Sequence, residues 1–145
     1  KTPSVDIVWD LEKYPWPLPD ECASTLVASH FVEHINPARG GFLNFMNEAW
    51  RVLKVGGEFA IAAPYGVSDG FVQDPTHINP VNQSTFFYFD PLHESNFYKI
   101  YHPKPWKIKE SIWHSNGNIE IILIKRKGDP SYEEDLIPLD KPQLS

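Results

Sequence analysis

Residues 40–64 read GGFLNFMNEAWRVLKVGGEFAIAAP, and the change of period inside this stretch decides the architecture. Phe42, Phe45, Met46, Ala49, Trp50 and Leu53 recur at helical spacing, which predicts a helix with one apolar stripe, ended by Gly56 and Gly57. From Glu58 the pattern becomes the continuous apolar run EFAIAAP, the mark of a strand buried in a parallel sheet. STLVAS, residues 24–29, has the same character upstream. Strand, helix and strand at this spacing form the crossover unit of a parallel sheet.

Further out, VDIVW at residues 5–9 is apolar and rich in β-branched side chains, so a further buried strand ending at Asp10 is expected there. EKYPWPLPDE follows, and Pro15, Pro17 and Pro19 deny it a ladder or a helix. Residues 65–91 are loop-like and rich in Asp, Pro, His, Asn and aromatic residues. In open parallel sheets, ligand sites gather on such loops at the carboxyl ends of strands. KPWKIKESIWHS and IEIILIKRK then alternate about Asn116, Gly117 and Asn118, a strong hairpin signal. The domain expected is therefore residues 1–127, with residues 128–145 an acidic, proline-containing extension.

The composition is that of a globular chain. Its 145 residues suit one domain, with 41% apolar and 22% charged residues. A formal net charge of −6 argues against nucleic acid as a partner. Seven of the thirteen basic residues fall in residues 99–127, which the solvated face of the hairpin explains. Cys22 is the single cysteine, so neither an intrachain disulfide nor a CxxC motif exists, and a cytoplasmic setting is expected. No apolar run reaches the length of a membrane span, and the N-terminus lacks a signal-peptide layout.

VASHFVEHI, residues 27–35, holds His30, Glu33 and His34 in the spacing H-x-x-E-H. On a continuous helix that pattern binds zinc through both histidines, with the glutamate activating water. Here a strand leads directly into His30 and Asn36-Pro37 breaks the chain just beyond His34, which spoils the i, i+4 geometry. No metal site is therefore expected, and a zinc hydrolase is the minor alternative. Glu33 is expected in a first helical turn, serving free backbone donors, with His34 packed close by.

DLEKYPWPLPDECASTLVASHFVEHI followed by EAWRVLKVGGEFAIAAP resembles the middle of the class I S-adenosylmethionine-dependent methyltransferases, in their small-molecule branch. DPTHINP, residues 74–80, and the closing hairpin are also similar to that branch. The resemblance implies an α/β fold: a Rossmann-like, partial doubly wound sheet, mostly parallel, with a C-terminal antiparallel hairpin. It implies S-adenosylmethionine as cofactor and a small-molecule acceptor. Asp10 would accept a hydrogen bond from the adenine amine, and the Leu11 backbone with flanking apolar groups would hold the ring. Ser29 and His30 would stand near the methionine part. His77, oriented by Asp74, is the first candidate for a base where the acceptor must lose a proton, and His30 is the second.

The sequence departs from the family in one place. No glycine-rich turn occurs in it, nor the ribose-binding acid that follows the family's second strand, so the first two family strands are missing. Met46 is the only methionine, which suggests an upstream segment carrying them. A truncated relative, kept as a non-catalytic binding or assembly module, is the alternative. In that case the apolar edge of STLVAS should be covered by VDIVW or by a second copy of the chain, which makes a homo-oligomer the expectation.

Overall fold

The computed structural model describes residues 4–130. Strand β1 (Ala23–Ser29) leads through two short 3-10 turns into helix α1 (Gly41–Val52), and strand β2 (Leu53–Pro64) follows without a break. Beyond a loop region containing the short helices α2 (Asp69–Val72) and α3 (Tyr98–Tyr101) comes the hairpin, β3 (Trp106–Trp113) and β4 (Asn118–Lys125). The sheet order is β1-β2-β4-β3. β1 and β2 are parallel, while β4 is antiparallel to both β2 and β3. Three strands thus run one way and β4 runs against them from a position next to the edge, the arrangement expected from the resemblance.

Alternation along the strands sorts the two faces. Phe59, Ile61 and Ala63 of β2, Ile119, Ile121 and Leu123 of β4, and Ala28 of β1 are buried. The stripe of α1 covers them with Phe42, Phe45, Met46 and Ala49, and Phe86 and Phe89 from a 3-10 segment (Gln83–Phe89) complete the cluster. Each large side chain so removed from water contributes about 1.5–3 kcal/mol before the cost of ordering it. The intervening residues Ala60, Ala62 and Ile122 are only half-buried, and Val27 is 72% exposed.

Two expectations are corrected. VDIVW forms no strand: it pairs with nothing in the sheet, and Val5, Ile7, Val8 and Trp9 are all exposed, Val8 at 88%. A strand exists through its partner, and an apolar run without one leaves its backbone to water. Helix α1 also stops earlier than Gly56. Leu53 turns extended (φ −77°, ψ 143°) because its fully buried side chain opens β2. The glycines serve a turn inside that strand instead: Gly56 has φ +79°, and a Cβ on Gly57 would lie 2.9 Å from the Ser24 carbonyl oxygen.

The proline-rich segment is irregular as expected, but it is pinned. Arg51 donates to Glu48 Oε1 (2.6 Å) and Oε2 (3.0 Å), to Asp20 Oδ1 (2.7 Å) and to the Leu18 carbonyl (2.8 Å). Glu48 Oε1 also accepts from the Trp16 N–H at 2.6 Å. These bonds hold Glu48 below the usual carboxylate range, the Arg51 hydrogen bonds being the largest cause, and raise Arg51 further. The segment is thereby laid along α1, where Trp16 enters the core. The extension expected at residues 128–145 lies, from residue 131 on, outside the described residues.

Candidate functional site

The site begins where β1 and β2 end. The His30 N–H donates to the Ala62 carbonyl (2.7 Å), one last ladder bond, and then a left-handed backbone at His30 (φ 50°) swings the chain out of the sheet. A single 3-10 turn, Val32–His34, follows. From the end of β2, Tyr65 pairs with Val81 and the Gly66 N–H donates to the Val81 carbonyl (2.8 Å). Gly66 must be glycine for this closure, since a Cβ there would meet Pro80 Cβ at 2.8 Å.

The DPTHINP loop is then clamped onto the HFVEH turn. Ile78 and Asn79 both donate backbone N–H groups to the Glu33 carbonyl (2.9 and 3.0 Å), and the Asn79 amide donates to the Val32 carbonyl (2.8 Å). This brings the His34 and His77 rings together edge to face, with centroids 4.8 Å apart. Glu33 is fully buried and, among the described residues, neither carboxylate oxygen has a hydrogen-bond partner. His30 Nδ1 approaches it only to 3.6 Å. The expectation that the Glu33 side chain serves backbone donors is therefore corrected: its carbonyl takes the bonds and its carboxylate takes none.

Asp74 lies near His77, Oδ2 3.6 Å from Nε2, beyond hydrogen-bond distance, and the His77 ring is held through Nδ1 by the Phe71 carbonyl at 3.0 Å. Asp74 Oδ1 accepts from both the N–H (2.8 Å) and the hydroxyl (2.7 Å) of Thr76. These bonds, the backbone one first, hold its carboxyl below the usual range. Leu11 and Ser29 meet elsewhere, in the lining of an apolar cleft of about 410 Å³ beside β1, with Trp16, Phe31, Phe45 and Phe59. Asp10 sits in a turn outside that lining, its Oδ1 accepting from the Glu12 N–H at 3.1 Å and its Oδ2 4.0 Å from Lys13 Nζ. His30 leans toward Glu33 and does not line the cleft.

Sequence reasoning missed the meeting of Glu33 and His34 with His77. No periodicity links loops more than forty residues apart; the one usable signal is that both follow strands adjacent and parallel in the sheet, whose carboxyl ends must adjoin. The H-x-x-E-H string is not a helical pair, because His30 is left-handed and the turn after it has three residues. Among the described residues no helix is long and apolar enough to cross a membrane.

No protein-family profile matches the chain, and no curated protein matches it. Solved structures do. A SAM-dependent methyltransferase from Archaeoglobus fulgidus aligns with TM-score 0.57 at 20% identity, over 82% of this chain and 66% of its own. The YcgJ protein from Bacillus subtilis aligns with TM-score 0.52 at 17% identity, over 83% of this chain and 70% of its own. The [4+2]-cyclase SpnF aligns with TM-score 0.55 at 12% identity, over 83% of this chain and 55% of its own. The chain has the class I methyltransferase fold: an α/β, Rossmann-like sheet carrying one antiparallel strand. It spans two thirds or less of the Archaeoglobus and SpnF chains, and the cyclase shows that this fold does not by itself choose a reaction.

Proposed function

We propose that the chain carries part of the cofactor-binding and acceptor-facing side of an S-adenosylmethionine-dependent methyltransferase for a small-molecule acceptor. The observation that carries this reading is the apolar cleft uniting Leu11 and Ser29 beside β1, in a fold shared with SAM-dependent methyltransferases. Its volume falls in the range of about 300–1,000 Å³ usual for small-molecule sites. Its aromatic lining suits an adenine ring, while Ser29 adds a hydroxyl at the strand end. Asp10 keeps acceptor capacity beyond its bond to Glu12 and stands one residue before Leu11 of the lining, where it would accept from an exocyclic amine.

Bound there, the cofactor would supply a methyl group on a positively charged sulfur, which needs little more than an aligned acceptor and exclusion of water. His30 would border the methionine end, and the loop bearing Asp74 and His77 would face the acceptor. In the alternative of a truncated module, the open edge of β1 supports a homo-oligomer as the working assembly.

Isothermal titration with S-adenosylhomocysteine tests the reading. Saturable one-to-one binding is expected, abolished by Ser29→Trp, which fills the cleft, and weakened roughly tenfold by Asp10→Ala, the loss of one charge-assisted hydrogen bond. No binding up to about 1 mM, a free energy near −4 kcal/mol, by the protein carrying any residues encoded upstream of Lys1 would leave a non-catalytic module on this fold as the correct reading.

A further inference from the structure

We propose that Glu33, His34 and His77 form a binding site for one divalent transition-metal ion of the zinc type. One nitrogen from each histidine and one Glu33 oxygen lie within 4.8 Å of one another. Around zinc at roughly 2.0–2.1 Å such atoms stand about 3.3 Å apart, so the set closes by side-chain rotation of roughly 1.5 Å or less.

Hydrogen bonding has already chosen the tautomers. His77 Nδ1 lies 3.0 Å from the Phe71 carbonyl, which can only accept, so the proton sits on Nδ1 and the lone pair on Nε2. His34 Nδ1 faces the Thr76 carbonyl (3.3 Å) and the Thr76 Oγ1 (3.2 Å). That hydroxyl spends its hydrogen on Asp74 Oδ1 (2.7 Å), so it too can only accept. His34 therefore also carries its proton on Nδ1 and its lone pair on Nε2. A ring N–H held by a backbone carbonyl, with the other nitrogen left open, is how proteins orient metal-ligating histidines.

The second, independent observation is Glu33. Its carboxylate is completely buried and takes no hydrogen bond among the described residues, with only the 3.6 Å approach of His30 Nδ1 beside it, an expensive state for a charged group unless a cation meets it. Asp74, 3.6 Å from His77, adds further negative charge at the rim. Two imidazoles and one carboxylate favour zinc, cobalt or nickel over magnesium or calcium, and three protein ligands leave a position for water or a substrate atom. The site also differs from the string that first suggests zinc: His77 from the distant loop takes the place of His30. The lone pair of His77 Nε2 is thus assigned to a cation rather than to an acceptor's proton.

The test is titration of chelator-stripped protein with Zn²⁺, followed by Co²⁺ in its place. One equivalent is expected to bind, with intense visible absorption from tetrahedral cobalt, while Mg²⁺ leaves both signals unchanged. His77→Ala and Glu33→Gln should each weaken zinc by roughly 100-fold or more, and His30→Ala by less than about threefold. Should Glu33→Gln fail to fold, His77→Ala, a largely buried side chain on a loop outside the sheet, carries the decision, with the far-ultraviolet dichroism of the metal-free variant as the folding control. Absence of stoichiometric binding, or equal losses in His30→Ala and His77→Ala, would overturn the proposal. The outcome is independent of S-adenosylhomocysteine binding, since neither ligand is needed for the other's measurement.

Discussion

The two edges of the sheet are built on opposite principles. The β3 edge bears Lys107, Lys109 and Glu110, all exposed, and its register slips between Ile108 and Glu110. Charge and a bulge are the usual devices that keep an edge from recruiting another strand. β1 reads ASTLVAS, without one charge or proline, and shows an exposed Val27 on a strand that, among the described residues, bonds to β2 alone. Its composition is that of a strand with neighbours on both sides. The difference teaches that β3 is a finished boundary of the fold and β1 is not, which agrees with solved chains of this fold that extend beyond the part matched here.

The largest test acts on the cover of the β1 side. Arg51→Ala removes the cation that ties the proline-rich segment to α1 and leaves the nearly buried Glu48 carboxylate uncompensated, for an expected loss of about 2–4 kcal/mol in urea unfolding. Amide exchange should show the loss in β1 and the segment before it, with β3 and β4 keeping their protection; equal loss at both edges would break the contrast. The acid limb sharpens it. Glu48 has a lowered carboxyl pKa in the fold, so its stabilisation is fully present above the unfolded carboxylate pKa and disappears as pH falls through the lower folded value. The gap between the unfolding midpoints of the parent and Arg51→Ala should therefore narrow as pH falls below the usual glutamate range, leaving the part due to the Leu18 and Trp16 carbonyl bonds.

Val27→Lys places a charge on the open edge and should weaken self-association by roughly tenfold or more in sedimentation, since the lysines of two paired copies would repel. A monomeric parent would show instead that β1 pairs with no second copy. Lys109→Ala, on the finished edge, has the smallest effect. It removes an exposed ion pair with Glu58 and should cost no more than about 1 kcal/mol without changing the assembly.

Legibility followed the range of the interaction. The stripe of α1 and the Asn116-Gly117-Asn118 hairpin could be read because their partners are a few residues away: Gly117 takes φ +86° and the His114 N–H reaches the Asn118 carbonyl at 2.8 Å. The end of α1 misled because two glycines imitate a helix stop, yet the burial of Leu53 wins over that local signal. VDIVW misled because β-propensity says nothing about whether a partner edge is present. At the site, the nearness of Asp74 to His77 follows from their three-residue spacing in one loop, whereas the step of His34 and Glu33 toward His77 was not legible.

By itself the sequence determined the parallel crossover, the amphipathic helix, the closing hairpin and the interruption of the H-x-x-E-H string, since each rests on periodicity, proline or glycine acting within one or two turns of chain. Only the tertiary structure decided which edge stays open, where the proline-rich segment lies and that Glu33 ends buried without a partner beside His34 and His77. Those outcomes depend on bonds that close long loops, Arg51 to Leu18 and Asp20, and Asn79 to Val32, whose value appears only when both ends are already held by the sheet and its core.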